Sequence, residues 1–527
     1  MTDETTVVGS IIPVLMLATS FVPAIIIFGL REQQWRTRTA LNLAGAVLKV
    51  AFVIVLIPVV VDGTTLRTAF EWIPGLSIVL VTDTFSLFFV ALSAGLWLVT
   101  TVYAVGYLEG SPNRSRFFGF FSLCVTATTG IALAGNLFTF LVFFEMLTLV
   151  TYPLVAHRGT AAALRGAKIY LGYTLVGGVA LLLGVAWLSL EVGPVEFRAG
   201  GIPEVADFAA RDPVTATVIG GLLLVGVGVK AALFPFHGWL PIAMVAPAPV
   251  SALLHAVAVV KAGAFGIIRV VEDTFGLFLF AQLGLLPVLA VVASVTIVYG
   301  SVRALAQDDL KRRLAYSTVS QVAYIALGAA LLSPVATAGA IVHMVNQGFM
   351  KITLFFCAGV FSEELKLTKI SQLAGVGRRM PLTAAAFTVA ALGMIGLPPF
   401  AGFISKWALG VGGIEAGQPW VVAVLMTSAV LNAAYFLPVI AAMWTAPPET
   451  DEARGAAPKL ARPVPAAELT GAAGERSRGL LRRLEAPGSL LIPTLITAAF
   501  VVGLGLAAGW EFSAWSLAQL IAEGAWP

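Results

Sequence analysis

Apolar runs of helix-spanning length, separated by short polar links, recur along almost the whole chain. A hydrocarbon layer about 30 Å thick is crossed by roughly 20 helical residues at about 1.5 Å each. Fourteen such segments are read, at 7–30, 39–61, 78–105, 117–134, 137–156, 167–190, 214–245, 248–271, 276–300, 314–332, 335–361, 382–412, 420–445 and 488–509. The pattern predicts an all-α polytopic membrane protein, a single transmembrane domain over 1–527. The basic residues test the count independently, because Lys and Arg accumulate in cytoplasmic loops. Twenty-three of them lie in odd-numbered loops, four in even-numbered loops (Arg67, Arg198, Arg211 and Arg269) and none at either end. An omitted or invented helix would scramble that alternation. The expected topology is a multi-pass protein of the cell (plasma) membrane with both termini outside.

Composition removes the soluble classes. Only 11% of the 527 residues are charged and 59% are hydrophobic, with a mean hydropathy of +0.94. Soluble chains carry about 25% charge, so this one lacks the charges to cover a soluble body. The net charge of +4 is small and the basic residues are not clustered, which excludes a nucleic-acid footprint. Cys124 and Cys357 both fall inside apolar runs, so neither a disulfide framework nor a thiolate metal cluster is available. Met1–Thr6 is acidic and the first run has the length of a span, so no cleavable signal is expected. The loop 446–487 is rich in Pro, Ala, Gly and Arg and reads as flexible. Within it RSRGLLRRL, Arg476–Leu484, is either a short basic amphipathic helix on the inner leaflet or simply a positive loop.

Segments seven and twelve are too long, and both are interrupted. The first reads GVKAALFPFHGWLP, with Pro235, Gly238 and Pro241; the second reads GLPPFAGFISKW, with Pro398, Pro399 and Gly402. Proline lacks a backbone donor and clashes with the preceding turn, so each helix must open there. Backbone freed inside a bilayer is tolerated only against protein or a watery cavity. Two Pro/Gly-broken helices at corresponding places in two halves point to a transport site between repeats. Their offset is five helices, an odd number, so a repeat relating them is inverted. The alternative is two kinks shaped by packing alone.

Far from any interface lie Glu145, Lys230, Lys261, Lys351 and Lys406. A lone charge at a helix centre costs about 2.5–3.5 kcal/mol on insertion scales, so its default reading is functional. Lysine can exchange a proton there, because burial disfavours its charged form and a nearby carboxylate restores it. Arginine cannot, and every intramembrane cation here is Lys. The fifth, Lys49, sits about ten residues from the cytoplasmic end of segment two, within snorkelling reach. His255 precedes Lys261 by six residues, which places them on faces about 120° apart in a continuous helix. Ser251, one turn earlier, is within hydrogen-bonding reach of His255. His343, Gln347 and Lys351 recur every four residues as a polar stripe about 12 Å long, wasteful against lipid and useful along a proton path; the alternative for His343 is a packing histidine. His237 at the break of segment seven could equally serve freed carbonyls, and His157 beside Arg158 reads as interfacial. One carboxylate, four lysines and two or three histidines on different helices describe proton or cation transfer chemistry. No nucleotide loop or nucleophile is present, and paired axial histidines for a haem are not provided; no cofactor or metal is expected.

At these residues the chain resembles the antiporter-like subunits shared by Mrp-type sodium/proton antiporters, respiratory complex I and membrane-bound hydrogenases. The resemblance runs over roughly 80–445. FFEMLTLVTYPLV is similar to the fifth-helix motif that carries the family's glutamate, at Glu145. KAALFPFHGWLPIAMVAPAPVSALLHAVAVVKAG is similar to the broken seventh helix and the eighth, which implies Lys230 as the paired lysine and His255 and Lys261 as central residues. DDLKRRLAYSTVSQ resembles the polar stretch into the tenth helix. HMVNQGFMK resembles the eleventh, with His343 and Lys351, and GLPPFAGFISKW the broken twelfth, with its terminal ionisable residue at Lys406. Two departures stand out. Gln347 replaces a second histidine, and GNLFTF stands where an acidic GDLFN-like stretch is common, which removes an expected outer-side polar contact.

The resemblance implies fourteen helices, with helices 1–3 at 1–105, two inverted five-helix repeats at 117–271 and 276–445, and helix 14 with a tail at 488–527. It implies a Glu145–Lys230 switch, with protons passing from the cytoplasmic side by His255 and Lys261 to His343 and Lys351 and leaving near Lys406. A lysine at the twelfth-helix position resembles the D-type subunit of Mrp antiporters. The expected function is a proton-translocating subunit of a multi-subunit Na+ or K+/proton antiporter, a transporter component rather than an enzyme. It would pack beside partner membrane subunits and bind no nucleic acid. The alternatives are the proton-pumping membrane subunit of an NADH:quinone oxidoreductase or membrane-bound hydrogenase, where it would form part of a translocase, and a non-transporting structural subunit.

Overall fold

The structure, a computed structural model, describes residues 6–73, 75–445 and 485–526; the stretch Arg476–Leu484, read as either a short helix or a positive loop, lies outside them. The first helices are α1 (Ile12–Phe28), α2 (Trp35–Val61), α3 (Thr84–Tyr107), α4 (Arg114–Ala132), α5 (Leu137–Val155) and α6 (Ala161–Val192). A short amphipathic α7 (Pro203–Arg211) leads to α8 (Pro213–Lys230), single turns that include α9 (Trp239–Ile242), and then α10 (Ala248–Ala256) and α11 (Val259–Ile268). After a wider turn over Arg269–Phe275 come α12 (Leu277–Gln282), α13 (Leu285–Leu305), α14 (Leu310–Ala329) and α15 (Pro334–Glu364). The chain continues through α16 (Val376–Arg379), α17 (Pro381–Ile395), α18 (Ala401–Glu415), α19 (Trp420–Thr445), α20 (Gly488–Leu506) and α21 (Ala514–Gly524). Helix occupies most of each apolar segment, and among the described residues ten helical stretches are long and apolar enough to cross a membrane.

Helix starts follow local chemistry. The side chains of Asp83, Asn136, Thr160, Asp212, Asp309 and Ser333 each accept a hydrogen bond from the backbone N–H three residues on. That satisfies donors which the first turn leaves unpaired. Pro213, Pro334 and Pro381 occupy first-turn positions, where no N–H is needed. Asn136 also corrects an expectation: it caps α5 and its amide donates to the Ser77 carbonyl at 3.1 Å, so this asparagine makes a polar contact of its own.

A small sheet departs from the purely helical reading. β1 (Thr6–Gly9), β2 (Thr64–Ile73) and β3 (Leu76–Thr82) lie in that order, with β1 and β2 parallel and β2 and β3 antiparallel. The apolar run assigned to segment three therefore begins as a strand, and helix starts only at Thr84 behind the Asp83 cap. β3 and α3 share one hydrophobic stretch, and its strand half carries the β-branched Ile78, Val79, Val81 and Thr82.

Burial separates the interior from the lipid-facing rim. The most apolar window of α15 is 94% buried and that of Ala248–Phe275 entirely so, against 33% for α2, α6 and α19. The helices that carry His255, Lys261, His343 and Lys351 are thus central ones. Segment eight is not continuous: the backbone leaves helical geometry at Val257 and Ala258, between His255 and Lys261. The angle between those residues that a continuous helix implies does not apply, and Ser251 donates to the Ala246 carbonyl at 3.5 Å instead of bonding His255.

Helices in a bilayer associate through close packing of small residues rather than by expelling water. Gly263 is such a point, because a Cβ there would lie 2.7 Å from both the Lys230 carbonyl carbon and the Val227 carbonyl oxygen. This contact presses α11 against the end of α8. Gly263→Val is expected to destabilise the folded protein by about 1–3 kcal/mol through overpacking, read as a lower melting temperature of the detergent-solubilised chain. An unchanged melt would show that the two helices separate without cost.

Candidate functional site

The first break places Lys230 as the last residue of α8. Opening of the backbone beyond it is absorbed locally: Trp239 Nε1 reaches back to the Val229 carbonyl at 2.9 Å, and the Phe234 N–H bonds Thr296 Oγ1 at 2.9 Å. Lys230 is buried against α5. Its ammonium lies 3.8 Å from Glu145 Oε1, donates to the Phe144 carbonyl, and sits 3.5 Å from the centre of the Phe144 ring. The pair is an ion pair without a direct hydrogen bond, since Glu145 Oε1 has no hydrogen-bond partner. Gly178 on α6 makes room for the carboxylate, because a Cβ there would lie 2.5 Å from Glu145 Oε1.

His255 ends α10 and Lys261 stands in the first turn of α11, both fully buried. Neither ring nitrogen of His255 nor the Lys261 ammonium has a hydrogen-bond partner among the described residues. His255 packs on Phe355 of α15, ring centres 4.6 Å apart. On α15 the expected stripe is present and buried. His343 Nδ1 bonds Ser405 Oγ of α18 at 2.7 Å while its Nε2 is unpartnered, and both polar atoms of Gln347 are likewise unpartnered. Lys351 donates to Ser317 Oγ at 2.7 Å and to the Leu314 carbonyl at 3.1 Å.

The second break differs from the first. α17 ends at Ile395, and the residues that would donate to the Met394 and Ile395 carbonyls in a continued helix are Pro398 and Pro399, which have no N–H. Lys406, in the second half of the interrupted segment rather than the first, donates to both carbonyls, at 2.7 and 3.0 Å. Its ammonium also lies 5.3 Å from the Tyr324 ring centre. The two lysines are therefore not equivalent: Lys230 precedes its break and faces a carboxylate, whereas Lys406 follows its break and holds carbonyls.

Residues off this line resolve differently. Lys49 does not snorkel. It is fully buried, donating to Ser20 Oγ at 2.9 Å and Thr129 Oγ1 at 2.7 Å, over the Trp97 ring at 5.2 Å. His237 lies among rings, 4.8 Å from that of Tyr299, with no carbonyl bonded to its Nδ1. Burial, with Arg116 and Arg158 alongside, pushes His157 down to about 4, so it is neutral at ordinary pH. Several neighbours of the line were not singled out in the sequence: Ser405, Asn346, Ser317, Gln321 and Tyr435, and Lys311, which donates to the Ala246 carbonyl at 2.6 Å beside the first break. All but Tyr435 lie within the motifs DDLKRRLAYSTVSQ, HMVNQGFMK and GLPPFAGFISKW, which is the one signal they carried.

An unpartnered buried polar group costs about 1–3 kcal/mol. Seven residues with such groups, His255, Lys261, Gln321, Tyr324, His343, Asn346 and Gln347, lie on the contacting helices α10, α11, α14 and α15, while others lie elsewhere in the fold. His255, Lys261, Tyr324 and His343 ionise, the property needed to pass protons, and internal water is the ordinary partner of such sites. Among the described residues no group of three or more His, Cys, Asp or Glu side chains could hold a metal ion.

The chain is similar to known proteins. Residues 134–432 match the family described as NADH:quinone oxidoreductase/Mrp antiporter, transmembrane. The chain is 38% identical over 450 residues to NADH-quinone oxidoreductase subunit N of Desulforudis audaxviator, covering 82% of this chain and 83% of that one. It is 36% identical over 371 residues to the A/B component of a probable K(+)/H(+) antiporter of Rhizobium meliloti, over 69% of this chain but only 36% of that relative's length. Among solved structures it is similar to a chain of the Mrp complex from Dietzia sp. DQ12-45-1b, with a TM-score of 0.79, 25% identity and coverage of 96% and 97% of the two chains.

The second break also makes a prediction about stability. Lys406→Met removes the donor that both freed carbonyls share, and should destabilise the solubilised protein by about 1–3 kcal/mol. Lys406→Arg, which keeps donors in reach, should recover most of this. Equal melting temperatures for wild type and Lys406→Met would mean that the carbonyls find other partners.

Proposed function

The chain belongs to the NADH:quinone oxidoreductase/Mrp antiporter transmembrane family, and from that premise we propose that it is the proton-translocating subunit of a multi-subunit monovalent cation/proton antiporter, moving protons against Na+ or K+. The observation that carries the reading is the line of Glu145, Lys230, His255, Lys261, His343, Lys351 and Lys406, in which the lysines and histidines from Lys230 to Lys351 are fully buried with few or no partners and Glu145 and Lys406 are half-buried. Hydrocarbon-depth charge is expensive, and packing alone would be served by apolar residues at these sites. Lys230 and Glu145 form the switch. When the carboxylate closes on the ammonium the lysine keeps its proton; when it recedes, the lysine is left to bond a carbonyl and yields the proton to the line. The gap of 3.8 Å, with the lysine already bonded to the Phe144 carbonyl, supports a pair able to open. Protons enter from the cytoplasmic side and leave near Lys406. Charge alternation between loops supports both termini on the outer side of the plasma membrane, and the two broken segments support inverted repeats at 117–271 and 276–445. Lysine at position 406 favours a D-type antiporter component.

A second reading, the proton-pumping subunit of a redox complex, is favoured by one observation: the relative matched over most of its own length is an NADH-quinone oxidoreductase subunit. The two readings share the proton line and differ in what drives it.

Inverted vesicles carrying the complete complex separate them. Added Na+ or K+ should collapse a preset pH gradient in wild type, and Glu145→Ala and Lys230→Ala should abolish the response. Gly178→Leu should do the same with both ionisable residues intact, because its side chain would take the space of the Glu145 carboxylate. A gradient that answers only to NADH, formate or hydrogen assigns the chain to a redox pump. Mutants that behave like wild type would make it a structural subunit.

A further inference from the structure

Along the proposed proton line Lys351 and Lys406 do not touch, yet hydrogen bonds join their surroundings. Lys351 of α15 donates to Ser317 Oγ of α14 at 2.7 Å. Ser317 Oγ and the Tyr435 hydroxyl of α19 are 2.8 Å apart, and that hydroxyl also bonds Asn432 Oδ1 one turn away. Asn432 Nδ2 donates to the Met394 carbonyl at 3.2 Å, the same oxygen that Lys406 holds at 2.7 Å. All of these side chains except Lys406 are fully buried.

The proton inventory gives this chain a direction. A phenol has one proton, and Asn432 Oδ1 accepts only, so Tyr435 donates to Asn432. Ser317 must then donate to the Tyr435 oxygen, which leaves its own oxygen free to accept from the Lys351 ammonium. Every bond thus points from Lys351 towards Met394. Once Lys351 loses its proton its nitrogen accepts, and the Ser317 hydroxyl can turn to donate to it. Tyr435 can then turn to donate to Ser317, and Asn432 Oδ1 loses its donor beside the carbonyl that anchors Lys406. An amide does not pass a proton on, so the chain transmits orientation rather than a proton and no bond is made or broken.

We propose that Tyr435 is a positioning residue that couples the protonation of Lys351 to the seating of Lys406, acting through Ser317 on one side and Asn432 on the other. The coupling rests on the proton-line reading. The other charged or titratable groups around Lys351 are Lys261 of α11, Lys406 of α18 and His255 of α10, and Tyr435 itself faces Tyr324 and Arg313 of α14. None is a carboxylate, so hydroxyl orientation is the local means by which the state of Lys351 can be read. Arg313 bonds the Tyr435 main-chain carbonyl at 2.9 Å, a contact that Tyr435→Phe leaves intact.

The test is cation-driven proton movement as a function of pH in inverted vesicles holding the full complex, with Tyr435→Phe, Ser317→Ala and the double variant beside wild type and Lys230→Ala. Without the Tyr435 oxygen, Ser317 has no acceptor and turns to the amine, favouring its neutral form. The pH of half-maximal exchange should therefore move towards acid by about 0.5 unit, the scale of one hydrogen bond, with complex abundance unchanged. Ser317→Ala should change the profile as well, and the double variant should go no further than the larger single effect, because both cut one chain. Ser317→Ala also keeps the test open should Tyr435→Phe fail to assemble. An unshifted profile in an assembled Tyr435→Phe complex, or additive effects, would overturn the coupling and leave Tyr435 a brace between helices. If Lys230→Ala retains full exchange, the proton-line reading itself fails; if Lys230→Ala is inactive while the Tyr435→Phe profile stays put, only the coupling does.

Discussion

A carbonyl released inside hydrocarbon has no water to fall back on, and that constraint organises this molecule. Where proline opens a helix some donor must arrive, and at the second break that donor is a lysine of the site itself. Pro398 and Pro399 withhold two N–H groups, and one lysine ammonium answers both freed carbonyls. At the first break the partner is the Trp239 indole, with Lys311 on the Ala246 carbonyl a little further along. At the second break satisfying the backbone and placing the cation are one act, whereas Lys49 and Lys351 sit within uninterrupted helix.

The same economy explains what could be read from the chain alone. The spans, the two proline breaks and the seven ionisable residues were legible because each leaves a one-dimensional mark: a run of apolar residues, a Pro-Pro pair, a charge where none belongs. The opening of segment eight at Val257–Ala258 left no mark, since neither Pro nor Gly stands there. The strand at Leu76–Thr82 was hidden in one apolar stretch with the helix after it. Partnerships were the least legible. Ser317 and Tyr435 are 118 positions apart, and no periodicity within one helix encodes a hydroxyl on another. For the same reason Ser251 was paired with His255 by spacing although it bonds elsewhere.

The family match begins at residue 134 and stops at 432, so it covers the helices that carry the line and leaves out two regions with polar chemistry of their own. Tyr435 lies just past its end. Before its start, α2 and α4 face each other along a polar seam in which Arg38 bonds Ser115, Asn42 accepts from Ser122, and Lys49 is held by Ser20 and Thr129.

That seam bears on how the protein is made. Lys49 finds one hydroxyl on α1, synthesised earlier, but its second comes from α4, 80 residues later. When α2 first meets the membrane its lysine lacks a full set of partners, at a cost of about 2.5–3.5 kcal/mol near the helix centre. α2 also has the most apolar window of the ten spanning stretches, with a mean hydropathy of 2.7, enough to insert in spite of that charge. The N-terminal helices can therefore enter the bilayer in order of synthesis, and the arrival of α4 supplies the second hydroxyl that the lysine of α2 lacks.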